Sequence, residues 1–249
     1  MRVDGKNKKV AAVIQARMTS TRLPGKVMLT VLGKPLLGYE LERVARSKRL
    51  SKILVATTVN DDDDVVARYV ESLGFGVWRG PEDDVLERYH AAALAVGADI
   101  VVRLTADCPL IDPALVDQVV AALLESEGLD YVSNTFRRRT YPRGLDTEAF
   151  TFAALDRAWR EGRLPPEREH VTPYIYNHPE IFKLGGVRNK VDLSRHRWTV
   201  DTPEDFALIK AILEGVYPSN PNFSFKNIVD FMNDNPRLFE VNCFVKQKT

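Results

Sequence analysis

Arg17, Arg22 and Lys26 crowd onto one short stretch of chain that follows the apolar run Val10 to Ile14. Three cations so close together either neutralise a polyphosphate or merely keep a surface loop solvated. Pro24-Gly25, inside the same stretch, favours the first use: proline fixes one backbone position and glycine frees the next, so N–H groups can be bent toward an anion. Two standard phosphate motifs are missing. Lys26 is followed by Val27 instead of Ser or Thr, and no G-x-G-x-x-G follows a strand, which argues against a P-loop NTPase and a dinucleotide-dependent oxidoreductase. Asp107 comes just after a second apolar run, Ile100 to Thr105, and Asp201 just after Trp198 to Val200. Carboxylates so placed can hold Mg²⁺ against triphosphate oxygens, or they can cap turns, Asp107 before Pro109 and Asp201 before Thr202. The run Asp61 to Asp64 reads as helix-start carboxylates that meet free N–H groups and the helix dipole. Cys108 has no histidine partner set by the sequence and reads as a small buried residue.

These residues need a frame that brings them together, and the first half of the chain supplies one. Strands are expected at Val10 to Gln15, Ile53 to Thr57, Gly76 to Trp78 and Ile100 to Thr105, with helices at Leu36 to Ala45, Asp63 to Leu73, Asp84 to Val96 and Pro113 to Glu127. Asp112-Pro113 marks a helix start and Gly74 a helix end. Repeated βα units imply an α/β fold with a mainly parallel, Rossmann-like sheet flanked by helices, whose carboxyl edge carries both the basic loop and Asp107. From about Tyr131 the rhythm breaks. Residues 131 to 190 are expected to form an α+β excursion from the sheet, usable as a lid or a dimerisation segment within a single domain spanning 1 to 249. The chain is expected to return through a short strand, Trp198 to Val200, and a helix with Thr202 as N-cap and Pro203 at its first position; another helix is expected at Phe225 to Asn233.

Composition bounds what this frame can do. At 249 residues, 45% apolar and 28% charged, the chain can bury a large core, and its net charge of +1 gives no global attraction to nucleic acid or an anionic membrane. Any polyanion site is therefore local. Cys108 and Cys243 match no metal or redox spacing, so a reducing, cytoplasmic location is expected, with neither a signal peptide nor a membrane span.

The run Ile14 to Lys26 fits I-x-A-R-x-x-S-x-R-L-P-G-K at every defined position, and the chain resembles the cytidylyltransferases that activate acidic sugars, the CMP-sialic acid and CMP-KDO synthetases. It is most similar to the branch of spore coat polysaccharide biosynthesis protein F, through Gly80 to Tyr89, Arg103 to Leu110, Pro142 to Glu148, Arg168 to Tyr174 and Trp198 to Asp205, five ordered blocks within residues 9 to 215. The resemblance implies a nucleotide-diphospho-sugar transferase fold. It also implies a catalytic set of Lys26, Arg17 and Asp107, with Ala16, Arg22, Gly80, Asp84, Arg88 and Arg103 completing the nucleotide site. By the same likeness Asp107 and Asp201 hold Mg²⁺, while Asn134, Arg143, Asp146, Glu148, Glu169 and His170 line the acceptor side. Ala106 stands where relatives often carry glycine.

The implied reaction is transfer of CMP from CTP to a small acidic sugar-like acceptor with release of pyrophosphate, for polysaccharide or glycoconjugate biosynthesis. The implied enzyme is a homodimer joined through residues 131 to 180. A metal-dependent glycosyltransferase and a nucleotide-binding protein without turnover are the alternatives; three cations on the first loop favour a triphosphate over the diphosphate of a nucleotide-sugar.

Overall fold

The computed structural model describes residues 8–247. Nine strands and nine α-helices follow one another in these residues, and the first strand explains the core. Strand β1 (Val10–Gln15) turns Ala12 and Ile14 into one apolar cluster and Ala11 and Val13 into another, so both faces of the sheet are covered. Its neighbours are β4 (Lys52–Thr58) on one side and β6 (Ile100–Thr105) on the other, both parallel to it, and β5 (Gly76–Gly80) extends the parallel half beyond β4. A run buried on both faces has no reason to alternate with polar residues, which is why the apolar stretches are continuous.

Helix α1 (Leu36–Val44) follows a two-residue hairpin of β2 (Thr30–Val31) and β3 (Lys34–Pro35), which the sequence reading did not anticipate. Helix α2 (Asp64–Ser72) precedes β5 and stops at Gly74, whose φ of 79° is the left-handed geometry expected of a glycine terminus. Helices α3 (Val85–Ala95) and α4 (Pro113–Glu125) flank β6 in sequence; Asp112 caps α4 by accepting from the N–H groups of Ala114 and Leu115 at 2.8 and 3.3 Å.

The segment 131–190 does break the βα rhythm, but its strands stay in the sheet. Strands β7 (Tyr131–Ser133), β8 (Glu148–Thr151) and β9 (Leu184–Gly186) complete seven strands in the order β5-β4-β1-β6-β8-β7-β9, with β8 antiparallel to both neighbours. Helices α5 (Phe152–Glu161), α6 (Pro165–His170) and α7 (Pro173–Tyr176) pack outside them. The antiparallel pairing with β6 needs no covering crossover helix, so the segment attaches directly to the strand that leads into Asp107.

Residues 198–200 form no strand. The chain makes one parallel bridge, Arg143 with Arg197, then passes Asp107 and enters α8 (Pro203–Val216), with Thr202 and Asp205 capping each other's N–H groups. Helix α9 (Phe225–Asp234) and a short 3₁₀ helix at Pro236–Val241 follow. Among the described residues no helix is long and apolar enough to cross a membrane.

Candidate active site

At the carboxyl edge of β1 and β6 lies a cavity of about 480 Å³. The basic loop forms one wall. Gly25, at φ 69°, donates its N–H to the Met18 carbonyl at 2.9 Å, and this closure starts a short 3₁₀ turn at Lys26. Asp63 braces the same loop from outside the cavity: its carboxylate accepts from the Met18 N–H at 2.7 Å and from the Thr58 N–H and hydroxyl. The aspartate run is structural, as expected, yet Asp63 holds the loop instead of capping its own helix. Glu82 steadies the entrance, accepting from Thr19, from Asn60 and from Arg17 at 3.3 Å.

The opposite wall begins where β6 ends. The Thr105 hydroxyl donates to one Asp107 oxygen at 2.7 Å, while the Asp107 carbonyl accepts from the Val200 N–H at 2.8 Å and the Thr199 hydroxyl at 3.2 Å. These bonds to one main-chain carbonyl, in place of a strand, deliver Asp201 to the edge. Lys26 Nζ then lies 2.8 Å from an oxygen of Asp107 and 2.8 Å from an oxygen of Asp201. Burial opposes the charge on Lys26, but the two carboxylates outweigh it and hold its pKa above the usual lysine value. Burial likewise opposes the charge on Asp107, and Lys26 with the Thr105 hydroxyl brings its pKa below the ordinary carboxylate value.

The other oxygen of Asp201 meets Arg22 at 2.9 Å and Arg197 at 2.7 Å. Arg197 is itself locked: it donates to the buried Asp205 at 2.9 Å and to Gln247 at 2.7 Å, and Asn242 donates to the Arg197 carbonyl at 2.9 Å and to Asp205 at 2.8 Å. The segment after α9 thus reaches back to the acidic corner. Two carboxylates that converge on one point are hard oxygen donors suited to a divalent cation, with phosphate oxygens and water completing its shell, so the residues present fit a Mg²⁺-like ion.

Ala16, Arg17, Arg22, Lys26, Arg88, Arg103, Asp107 and Asp201 all line the cavity, and so do Arg143, Asp146, Glu169 and His170 from the predicted acceptor side. Six cations against four carboxylates line a cavity in a chain of net charge +1, so the positive charge is concentrated where a polyphosphate would lie. Four predicted residues do not line it. Gly80 packs under Arg88, where a Cβ would come within 3.1 Å of the Arg88 side chain. Asp84 caps α3 through the Glu87 N–H at 2.9 Å and pairs with Arg168. Asn134 is fully buried, bonded to Leu145 and Thr147, and Glu148 accepts from Tyr131, from Thr172 at 2.8 Å and from Arg103 at 2.6 Å. These four support the wall from behind. Cys108 is buried and its thiol pKa is pushed up by that burial and then by Asp107, in keeping with a packing role.

At the predicted acceptor end Asp146 is clamped by both guanidinium nitrogens of Arg139, whereas the Arg143 side chain makes no hydrogen bond among the described residues. Gly144 between them has a φ of 94°, and a Cβ there would sit 2.4 Å from the Trp198 carbonyl. Sequence reasoning missed Asp63, Glu82, Arg139, Arg197 and Gln247. For Arg197 a signal existed, a cation four residues before Asp201 and eight before Asp205; for Gln247 none did.

A family model described as cytidylyltransferase matches residues 11–239. Spore coat polysaccharide biosynthesis protein SpsF of Bacillus subtilis is 33% identical over 235 residues, which is 90% of this chain and 94% of that protein. The 3-deoxy-manno-octulosonate cytidylyltransferase of Geobacter sulfurreducens is 36% identical over 133 residues, 53% of this chain and 52% of that enzyme. A solved cytidylyltransferase structure from Leptospira borgpetersenii superposes with a TM-score of 0.89 at 36% identity, covering 98% of this chain and all of that one.

Proposed function

The chain belongs to the cytidylyltransferase family, and from that premise we propose that it transfers CMP from CTP to an acidic sugar or related acceptor, releasing pyrophosphate. The observation that carries this reading is the meeting of Asp107 and Asp201 with Arg22 and Lys26 at one point of a cation-lined cavity. A 3-deoxy-manno-octulosonate enzyme among the relatives supports an acidic acceptor, and SpsF supports a role in surface polysaccharide synthesis.

In the proposed reaction an acceptor hydroxyl oxygen attacks the α-phosphorus, the new P–O bond forms, and the α–β bridge breaks to expel pyrophosphate. Asp107 and Asp201 would hold a Mg²⁺ ion, which would supply charge neutralisation for the triphosphate. Arg17, Arg22 and Lys26 draw the triphosphate in and stabilise the leaving pyrophosphate; Arg88 and Arg103 flank the nucleoside. Arg143 offers a free guanidinium to the acceptor carboxylate, and Glu169 and His170 stand at the same end to take the hydroxyl proton. No protein nucleophile takes part.

Incubation with CTP, Mg²⁺ and a panel of sugar acids should release pyrophosphate, and Asp107→Ala should abolish that release while circular dichroism stays unchanged. Full activity in the variant removes Asp107 from the metal site. Nucleoside diphosphate liberated from a nucleotide-sugar instead would replace the reading with glycosyl transfer. We further propose a homodimer joined through residues 131–180 and a cytoplasmic location, the latter supported by two unpaired cysteines.

A further inference from the structure

We infer that Lys26 is the resident cation of the nucleotide-free site, filling the place between Asp107 and Asp201 until an incoming triphosphate draws it away, so that metal and nucleotide enter together. This rests on the reading that the two aspartates hold the metal of nucleotidyl transfer. Lys26 Nζ is 2.8 Å from each carboxylate, and its side chain is 12% exposed, so both inward-facing oxygens already have a partner inside the wall. The remaining oxygens are engaged too: Asp107 by the Thr105 hydroxyl at 2.7 Å, Asp201 by Arg22 at 2.9 Å and Arg197 at 2.7 Å. A dication arriving with Lys26 still in place would meet three cations around Asp201 and no unclaimed carboxylate oxygen on either aspartate.

Lysine suits a movable placeholder. Its ammonium is a compact charge on a flexible stem, while the neighbouring Arg197 is fixed by Asp205, Gln247 and its own carbonyl bond to Asn242. The β- and γ-phosphates offer Lys26 new oxygens, and its departure bares the two aspartate oxygens at the moment the metal is required. Binding free energies are reciprocal, so a nucleotide that removes Lys26 raises metal affinity by the same factor as the metal raises nucleotide affinity.

Mn²⁺ titration followed by electron paramagnetic resonance separates the possibilities. Nucleotide-free protein should bind Mn²⁺ weakly. Lys26→Met without nucleotide should bind it about tenfold tighter, a gain lost when Asp107→Asn is added, whereas Arg143→Met, which removes a cavity cation that does not touch the aspartates, should shift affinity far less. Wild-type protein with CTP should form a tight ternary complex. If nucleotide-free wild type binds Mn²⁺ as tightly as Lys26→Met, the placeholder is overturned while the ternary complex still upholds the metal site. If Mn²⁺ fails to bind even with CTP, the metal reading falls and the inference with it. A wild-type melting experiment avoids reliance on the variant: Mg²⁺ alone should leave Tm unchanged and Mg²⁺ with CTP should raise it, and a rise with Mg²⁺ alone overturns the proposal.

Discussion

Asp107 and Lys26 keep opposite charges across a wide pH range because each shifts the other's titration away from neutrality. The folded-state pKa of Asp107 is depressed, so its contribution is complete above the ordinary aspartate value of about 3.9 and disappears as pH falls through the lower folded value. That of Lys26 is raised, so its contribution is complete below about 10.4 and disappears as pH rises through the higher folded value. The gap in Tm between wild type and Asp107→Asn should therefore be flat from about pH 5 to 9 and narrow on acidification; a gap that changes steadily between those limits would show that the pair is not charged throughout. At this scale the sequence was informative where a residue type announces its chemistry. Arg17, Lys26, Asp107 and Asp201 were legible from their places after apolar runs. Asp63 was not, because a carboxylate at a helix start looks the same whether it serves its own helix or a loop forty-five positions earlier.

Among the elements, β6 and β8 pair antiparallel, and one largely buried ion pair crosses them. Arg103 donates to Glu148 at 2.6 Å, and burial alone would discourage its charge were the carboxylate not there to restore it. Glu148→Ala should cost about 3 kcal/mol, because the largely buried guanidinium keeps only a 3.4 Å bond to Gln15, and should lower Tm by roughly 10 °C. Scanning calorimetry decides it: a loss below a degree would mean that Arg103 finds solvent. Helix starts were readable, since Asp112-Pro113 and Thr202-Pro203 specify a cap and a pre-set φ. The later strands were not, since β7, β8 and β9 span three or four residues each and owe their place to partners distant in sequence. The passage at 198–200 failed as a strand for a related reason: the Trp198 N–H donates to the Arg143 carbonyl and the Val200 N–H to the Asp107 carbonyl, and two bonds to separate loops make no ladder.

For the whole molecule the question is assembly, and residues 131–180 leave Leu164 and Tyr176 exposed. The proposed homodimer should appear by light scattering as one species of twice 28.1 kDa, and Leu164→Asp should convert it to monomer; a wild-type monomer at all concentrations rejects the assignment. The parallel half of the sheet and the edge that carries the cavity followed from the βα order alone, whereas continuity of the later segment with that sheet depended on β8 reversing direction, which no local pattern encodes. The grip of Asn242 and Gln247 on Arg197 has a further consequence in time. Ribosomes deliver the basic loop first and Asp107 midway, but the residues that steady Asp201 emerge after every other part of the cavity. A nascent chain can therefore assemble its sheet while the acidic corner is still unfinished, and a chain clipped just after Val241 should persist in the cell as a folded protein whose last working part was never made.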